Sequence, residues 1–150
     1  MGNPMISGVQ VTPLQVFNGD AGNVMHALKS SEKDFSQFGE AYFSTVNTKA
    51  IKGWKKHHMM QANLVVPVGQ VRFILYDDRP ESDTQGMIQQ VVIGKDNYHR
   101  LRIPPMIWFA FQGMDAPLNL VLNIASIQHD PNECDQLPLN SNKIPFDDWS

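Results

Sequence analysis

The chain has 150 residues, of which 42% are hydrophobic and 18% charged, and its formal net charge is −3 at pH 7. These values predict one soluble globular domain over residues 1–150 and exclude an intrinsically disordered chain. An acidic balance without a long basic run gives no reason to expect nucleic-acid binding.

The sequence also carries signals for cellular compartment. Cys134 is the only cysteine, so an internal disulfide is impossible and a reducing compartment is expected. The sequence contains no run of about 18 apolar residues, so no membrane span is predicted. The first residues have neither the basic nor the apolar region of a signal peptide. These features predict a cytoplasmic protein without a membrane partner.

The first forty residues contain two weak strand signals and one helix signal. Residues 8–17 alternate apolar and polar side chains around Pro13, which predicts an edge strand or two short ones. A turn at 18–22 allows 23–28 to return as a hairpin strand. Residues 30–35 carry a helix N-cap signature with acidic residues in the first turn, so a short helix is predicted there.

From residue 40 onward the pattern is almost entirely that of strands. The segments are rich in β-branched and aromatic residues, and turn residues or a polar loop at 77–86 separate them. The predicted strands are 41–47, 52–58, 63–69, 71–76, 87–93, 99–103, 106–112 and 117–127. The last 23 residues, 128–150, have a loop-like composition, and Trp149 near their end predicts that this tail docks back onto the body.

About nine short strands at a spacing of about ten residues predict an all-β sandwich or barrel with at most one or two short helices. A barrel of this size encloses one cavity for a small ligand. The stretch 52–58 places several cationic side chains ahead of two apolar strands. It is either a solvated strand rim or a site for an anionic ligand.

Metal chemistry is not favoured by the histidines. His57 and His58 are adjacent, so in a strand their imidazoles face opposite sides. No glutamate follows them before Gly69, and the later strand 106–112 contains no histidine, so the ligand spacing of a mononuclear site is missing. The sequence predicts neither a metal nor another cofactor.

Acid–base chemistry is the reaction type that the residues leave open. No nucleophile elbow and no glycine-rich phosphate loop are present. Five side chains could act as acid or base if they point into the cavity: Tyr42, Lys52, Lys55, His57 and Tyr76. A lysine would serve as a base only where burial or cationic neighbours lower its pKa.

Four segments carry a resemblance to a known family. They are KGWKKH at 52–57, NLVVPVGQVRFILYD at 63–77, IPPMIWFAFQ at 103–112 and IPFDDW at 144–149. Together with ISGV at 6–9 they resemble the dTDP-4-dehydrorhamnose 3,5-epimerase family, and especially its shorter, divergent members. The core motif of those members is a basic residue, a small residue, Trp, His, any residue and His.

The resemblance implies a double-stranded β-helix, that is, a cupin-type jelly-roll barrel, that forms a homodimer and needs no metal. It implies a nucleotide sugar with a 4-keto-6-deoxy sugar as the ligand. In the family a His removes the proton next to the ketone, a Tyr returns a proton on the other face, and a Lys or Arg stabilises the enolate.

The chain departs from the family pattern at several of these positions. Lys55 stands where the family has its catalytic His, whereas His57 retains the second His and Lys52 the basic position. Met106 and Phe109 replace a Gly and a His, and Ala21 stands where the family has a phosphate-reading Arg. The Tyr expected late in the last long strand is missing, because 123–126 offers only Asn and Ser among its polar residues.

The site prediction that follows has two parts. Lys55 and His57 are predicted to be catalytic, with one of them acting as the base. Lys52, Asn63, Arg72 and Tyr76 are predicted to bind the substrate. Two main functions are compatible with this set: an epimerase or isomerase acting by metal-independent proton abstraction next to a ketone, in surface-polysaccharide or deoxysugar biosynthesis, or a non-catalytic sugar-nucleotide or carbohydrate-binding cupin. A metal-binding cupin is a third alternative.

Overall fold

A computed structural model describes residues 5–115 and 117–150 of the chain. The described residues form twelve strands and one short 3₁₀ helix, Pro131–Glu133. The strands in chain order are β1 (Gln10–Pro13), β2 (Val16–Phe17), β3 (Val24–Met25), β4 (Glu40–Thr45), β5 (Ile51–His57), β6 (Ala62–Val68), β7 (Gln70–Tyr76), β8 (Ile88–Gly94), β9 (His99–Ile103), β10 (Trp108–Gly113), β11 (Leu120–Ala125) and β12 (Cys134–Gln136).

The strands pair into two five-stranded sheets and one small hairpin. The first sheet has the order β1-β9-β6-β11-β4, and the second has the order β12-β5-β10-β7-β8. All pairings between these strands are antiparallel, as is the separate hairpin of β2 and β3. This confirms the predicted all-β class. Within the described ranges, no helix has the length and apolar character that crossing a bilayer requires.

The main core lies between the two sheets, and strand alternation decides which residues enter it. Val71, Phe73 and Leu75 of β7 belong to this core, whereas Ile74 lies in a second apolar cluster on the outer face of the second sheet. Both faces of β7 are therefore buried. Full burial of such a side chain stabilises the fold by about 1.5–3 kcal/mol, so β7 is a strong anchor of the second sheet.

The outer cluster of the second sheet is completed by the C-terminal tail. The Trp54 ring lies 5.8 Å from that of Trp149 and 6.4 Å from that of Phe146, between ring centroids. Backbone hydrogen bonds of 3.1 and 3.2 Å join Trp54 to Leu137 in both directions. The tail also contains β12, a strand that its loop-like composition did not predict.

The helix predicted at residues 30–35 does not form. The segment contains isolated turns, in which Phe35 N donates to the Glu32 carbonyl at 3.0 Å. Glu32 does accept from the backbone N of Lys29, as in a capping box. However, Glu32 and Asp34 also pair with buried Arg100 at 2.7 and 3.2 Å. These ion pairs attach residues 30–35 to the first sheet, and they outweigh the local preference of the segment for a helix.

Candidate active site

A cavity of about 300 Å³ opens between the two sheets. The first sheet contributes Tyr42, Ser44, Leu64, Val121 and Asn123 to its wall, and the second sheet contributes Lys52, Gly53, Lys55, His57, Phe109, Phe111, Cys134 and Gln136. Of the remaining lining residues, Met60 and His129 come from loops, and Pro131 begins the 3₁₀ helix. Side chains from two opposed sheets therefore line the same cavity.

A bulge in β5 sets which of its side chains face this cavity. Lys55 pairs with Phe109 of β10, but the next registered pair joins Lys52 to Phe111, so three steps on β5 match two steps on β10. The extra residue brings Lys52 to the same side as Lys55, although a regular strand would place them on opposite faces. His57 follows on that side by ordinary alternation.

Gly53 makes the bulge possible. Its φ of 139° belongs to the region that favours glycine, and a Cβ at this position would lie 2.5 Å from the Cβ of Ala110. Trp54 and Lys56 consequently face outward. Trp54 enters the outer cluster, and the Lys56 ammonium pairs with Asp78 at 3.3 Å.

His57 is held by a carboxylate that the sequence analysis did not identify. Its Nδ1 donates to Glu133 Oε1 at 2.5 Å, and its ring stacks on Phe109 with 6.0 Å between centroids. The second carboxylate oxygen accepts from the backbone N of Met59 and Met60, at 3.1 and 3.3 Å. The side chains of His57 and Glu133 are only 12% and 7% exposed, so the pair is fixed in position.

The protonation of the pair follows from its contacts. Burial works to raise the pKa of Glu133, but the hydrogen bonds from His57 and from two backbone amides outweigh it, so this pKa is lowered. An ionised carboxylate only accepts hydrogen bonds, so the His57 proton sits on Nδ1. In the neutral ring Nε2 is then a free proton acceptor, which is what a general base requires.

The cavity favours anionic ligands. Among the described lining residues there are two lysines and two histidines but no aspartate or glutamate. No ion pair in the described part of the chain joins Lys52 or Lys55 to an acid. Lys52 donates instead to the Thr45 carbonyl at 2.6 Å. Both ammonium charges are thus available to a bound anion.

Cys134 also lines the cavity. Its Sγ stands on β12, and its Cα is registered with that of His57. Burial raises the pKa of this thiol, so it stays protonated near neutral pH. A nucleophilic role does not follow from its position.

The structure brings together only part of the predicted site. Lys52, Lys55 and His57 line the cavity, but Asn63, Arg72 and Tyr76 do not. Their positions give no support to a substrate-binding role. The reason is strand alternation, which turns each of the three toward the outer face of its sheet.

The contacts of these three residues show what they do instead. The amide of Asn63 donates to the carbonyl of Asp34 at 3.3 Å, beside the buried ion pairs of the first sheet. Arg72 donates to Gln112 at 2.8 Å and lies over the Trp149 ring. Tyr76 packs against the outer cluster of the second sheet. All three serve the packing of outer layers.

The adjacent histidines His57 and His58 point apart, as expected for neighbouring strand residues. His58 lies at the surface, where its Nε2 is 3.0 Å from Asp135 Oδ2. Within the part of the chain that the structure describes, no group of three or more His, Cys, Asp or Glu side chains is arranged to hold a metal ion.

Comparison with known proteins gives relatives of similar length. A dTDP sugar isomerase from Desulfovibrio desulfuricans G20 is 39% identical in sequence, and its crystal structure superposes with a TM-score of 0.92 over 96% of this chain and 92% of that one. The probable low-salt glycan biosynthesis epimerase Agl13 of Haloferax volcanii is 29% identical over 155 residues, which cover 98% of this chain and 96% of that protein.

A more distant structure supports the fold alone. The dTDP-4-dehydrorhamnose 3,5-epimerase of Bacillus anthracis, crystallised with TDP and PPi, is 14% identical with a TM-score of 0.83, over 93% of this chain and 84% of that one. No protein-family model matches the sequence.

The two-sheet topology and these relatives define a class of protein, the cupin-type jelly-roll isomerases of the sugar-nucleotide epimerase type. Within this class, the chain belongs to the same family as the 39% identical dTDP sugar isomerase, and it shares the fold of the dTDP-4-dehydrorhamnose 3,5-epimerases. Both the jelly-roll fold and the family resemblance expected from the sequence are confirmed.

The buried pair of His57 and Glu133 makes a pH-dependent contribution to stability. Replacement of Glu133 by Gln should lower the free energy of unfolding at pH 7 by about 1–3 kcal/mol, because the buried imidazole and two amides lose a charged acceptor. The folded-state pKa of Glu133 lies below its unfolded value. Its contribution is therefore complete above the ordinary glutamate pKa of about 4.3 and is lost as the pH falls through the folded value. Urea denaturation at pH 7 and pH 3 measures this difference.

The neighbouring pair of His58 and Asp135 provides a matched control. These side chains are 40% and 49% exposed, so Asp135→Asn should change the free energy of unfolding by less than about 1 kcal/mol at either pH. Equal losses in the two variants at pH 7 would contradict the role given to the buried pair.

Proposed function

We propose that this chain is a cytoplasmic epimerase or isomerase of a nucleotide sugar whose sugar is a 4-keto-6-deoxy hexose, in the biosynthesis of a surface polysaccharide or another deoxysugar-containing glycan. The observation that carries the proposal is the imidazole of His57, which Glu133 holds at the wall of a lysine-lined cavity. Among the described residues, none makes a hydrogen bond to its Nε2. Support for the substrate class comes from the activities for which the dTDP sugar isomerase and the glycan biosynthesis epimerase are named.

The reaction begins with removal of a proton from the carbon next to the ketone. His57 Nε2 takes this proton, and the electron pair of the broken C–H bond moves toward the carbonyl oxygen to give an enolate. Glu133 stabilises the imidazolium that forms, because its carboxylate is already bonded to Nδ1. This step needs no metal and no redox partner.

The two lysines suit the two anionic parts of the substrate. Lys55 precedes His57 by two residues on the same face of β5, a distance of about 7 Å along a strand, so its ammonium is suited to the enolate oxygen. Lys52 lies beyond the bulge, farther from His57, and is suited to the diphosphate. A lysine base in place of His57 would have to lose its proton first, which an imidazole does not require near neutral pH.

Deuterium exchange tests the proposal. With a 4-keto-6-deoxy nucleotide sugar in deuterated water, the protein should incorporate deuterium at a carbon flanking the ketone. His57→Asn should slow this exchange by at least about 100-fold because the base is removed. NMR or mass spectrometry of the recovered sugar measures it. The matched control His58→Asn changes only the outward-facing neighbour and should exchange like the wild type.

Two outcomes separate catalysis from simple binding. Calorimetric binding of the nucleotide sugar without any deuterium incorporation would contradict the enzyme and favour a non-catalytic binding cupin. Undiminished exchange in His57→Asn, with the protein folded, would instead remove His57 from the role of base.

The adjacent lysines of β5 allow a second test with a built-in control. Lys55→Ala should lower kcat for exchange by about 100-fold, because the cation beside the enolate is lost. Lys56→Ala should leave kcat unchanged, since Lys56 faces outward and pairs with Asp78. Steady-state kinetics of both variants measures the difference, and equal kcat values would contradict the role of Lys55.

We also propose that the chain forms a homodimer. The support is β4, an edge strand of the first sheet whose Phe43 is 64% exposed. Edge strands with exposed aromatic side chains are prone to pair with another chain. Sedimentation equilibrium should give about twice the chain mass of 16.9 kDa. The mass of a single chain at micromolar concentration would contradict the dimer.

A further inference from the structure

The cavity wall contains a polar side chain whose hydrogen bonding is incomplete. Asn123 of β11 lines the cavity and is only 6% exposed, and its Oδ1 is a buried acceptor without a partner. Among the described residues, no other side chain both lines the cavity and carries a buried nitrogen or oxygen atom that lacks a hydrogen bond. An unpaired buried acceptor is costly, so a ligand group that donates to it gains binding free energy.

The surrounding strands and side chains hold this amide in place. β11 lies between β4 and β6, and Asn123 is registered with Tyr42 on one side and with Leu64 on the other. Its Nδ2 donates to the phenol oxygen of Tyr42 at 3.1 Å and lies 3.9 Å from the sulfur of Met60. Since the nitrogen of the amide is engaged, Oδ1 is the atom that is left for a ligand.

The chemistry of the amide determines which ligand group fits Oδ1. A carboxamide oxygen accepts hydrogen bonds and does not titrate near neutral pH, so Asn123 is suited to recognition and not to proton transfer. Asn123 belongs to the first sheet and His57 to the second, so a sugar ring held against His57 faces Asn123 across the cavity. The hydroxyl groups of such a ring are donors, whereas its ketone oxygen and the diphosphate oxygens only accept.

We propose that Asn123 is a specificity-determining residue whose Oδ1 accepts a hydrogen bond from a ring hydroxyl of the sugar, an inference that rests on the proposed function. The two lysines meet the anionic parts of the substrate, and Asn123 meets its neutral sugar. A site built to bond a substrate hydroxyl rejects the analogue that lacks it, because the buried polar atom then stays unpaired. The protein therefore selects hexoses that retain this hydroxyl over their deoxy analogues.

Deuterium exchange with two deoxy analogues tests this role. The 2-deoxy and 3-deoxy forms of the 4-keto-6-deoxy nucleotide sugar each lack one ring hydroxyl. The wild type should exchange one of them with a kcat/KM about 10- to 100-fold below that of the parent sugar, because the bond to Oδ1 is lost. Asn123→Leu should lower this ratio by about 10-fold or more, since leucine offers no acceptor to either sugar. Differences in intrinsic reactivity between the sugars affect both proteins alike and cancel in the comparison, as does the loss of the bond to Tyr42.

Asn63→Leu is the matched control. Asn63 is likewise buried with an unpartnered Oδ1, but it lies outside the cavity, so this variant should discriminate like the wild type. Exchange of both analogues by the wild type as fast as the parent sugar would overturn the inference alone, without any variant. Undiminished discrimination in Asn123→Leu would do the same. A wild type that exchanges no deuterium with the parent sugar would overturn the proposed function and, with it, the role of Asn123.

Discussion

The bulge at Gly53 is the constraint on which both faces of the second sheet depend. It gives β5 one residue more than the facing part of β10, so that Lys52 and Lys55 share the inner face. The same shift leaves Trp54 on the outer face, where it is 1% exposed. A strand in regular register would turn either one of the lysines or the tryptophan to the wrong side. One glycine thus assigns the charges to the cavity and the large aromatic side chain to the packing layer.

The C-terminal tail, residues 128–150, contributes to both the inner and the outer face of the second sheet. Its apolar residues cover Trp54, and its strand β12 pairs with the end of β5, where Cys134 is registered with His57. This pairing is what delivers Glu133 to the imidazole, since Glu133 immediately precedes β12. Packing on the outer face therefore supports the orientation of His57 on the inner face. The orientation of His57 and the docking of the tail therefore depend on the same contacts.

Elements that depend on interactions between residues close in sequence were predictable, whereas those that depend on contacts between distant residues were not. The strands from residue 40 onward were predictable because alternation and turn residues are local signals. The prediction of a helix at 30–35 was wrong because Asp34 forms an ion pair with Arg100, which is 66 residues away in sequence. Glu133 and its partner are 76 residues apart, and no local pattern announces such a contact.

The same argument explains the substrate-binding residues that fell outside the cavity. Strand β7 is buried on both faces, so its composition carries little alternation from which an inner and an outer side could be distinguished. Arg72 was predicted to bind the substrate, whereas its guanidinium lies over the Trp149 ring of the tail. In β5 the side chains do alternate between the two faces, but the bulge at Gly53 shifts this alternation by one residue. Lys52, Lys55 and His57 do line the cavity, but the family motif and the chemistry of these residues, and not strand alternation, pointed to them.

The departure from the family pattern at residue 55 has a physical interpretation in this setting. A lysine is a poor replacement for a histidine base but a good source of fixed positive charge beside a developing enolate. Under the proposed function the proton-accepting role requires another imidazole, and His57 has the partner that this role demands, the Glu133 carboxylate at Nδ1. A lysine at both positions would leave no neutral acceptor, and a histidine at both would leave less charge for the enolate. In the proposed reaction, Lys55 and His57 divide the two tasks between neighbouring side chains on one face of β5.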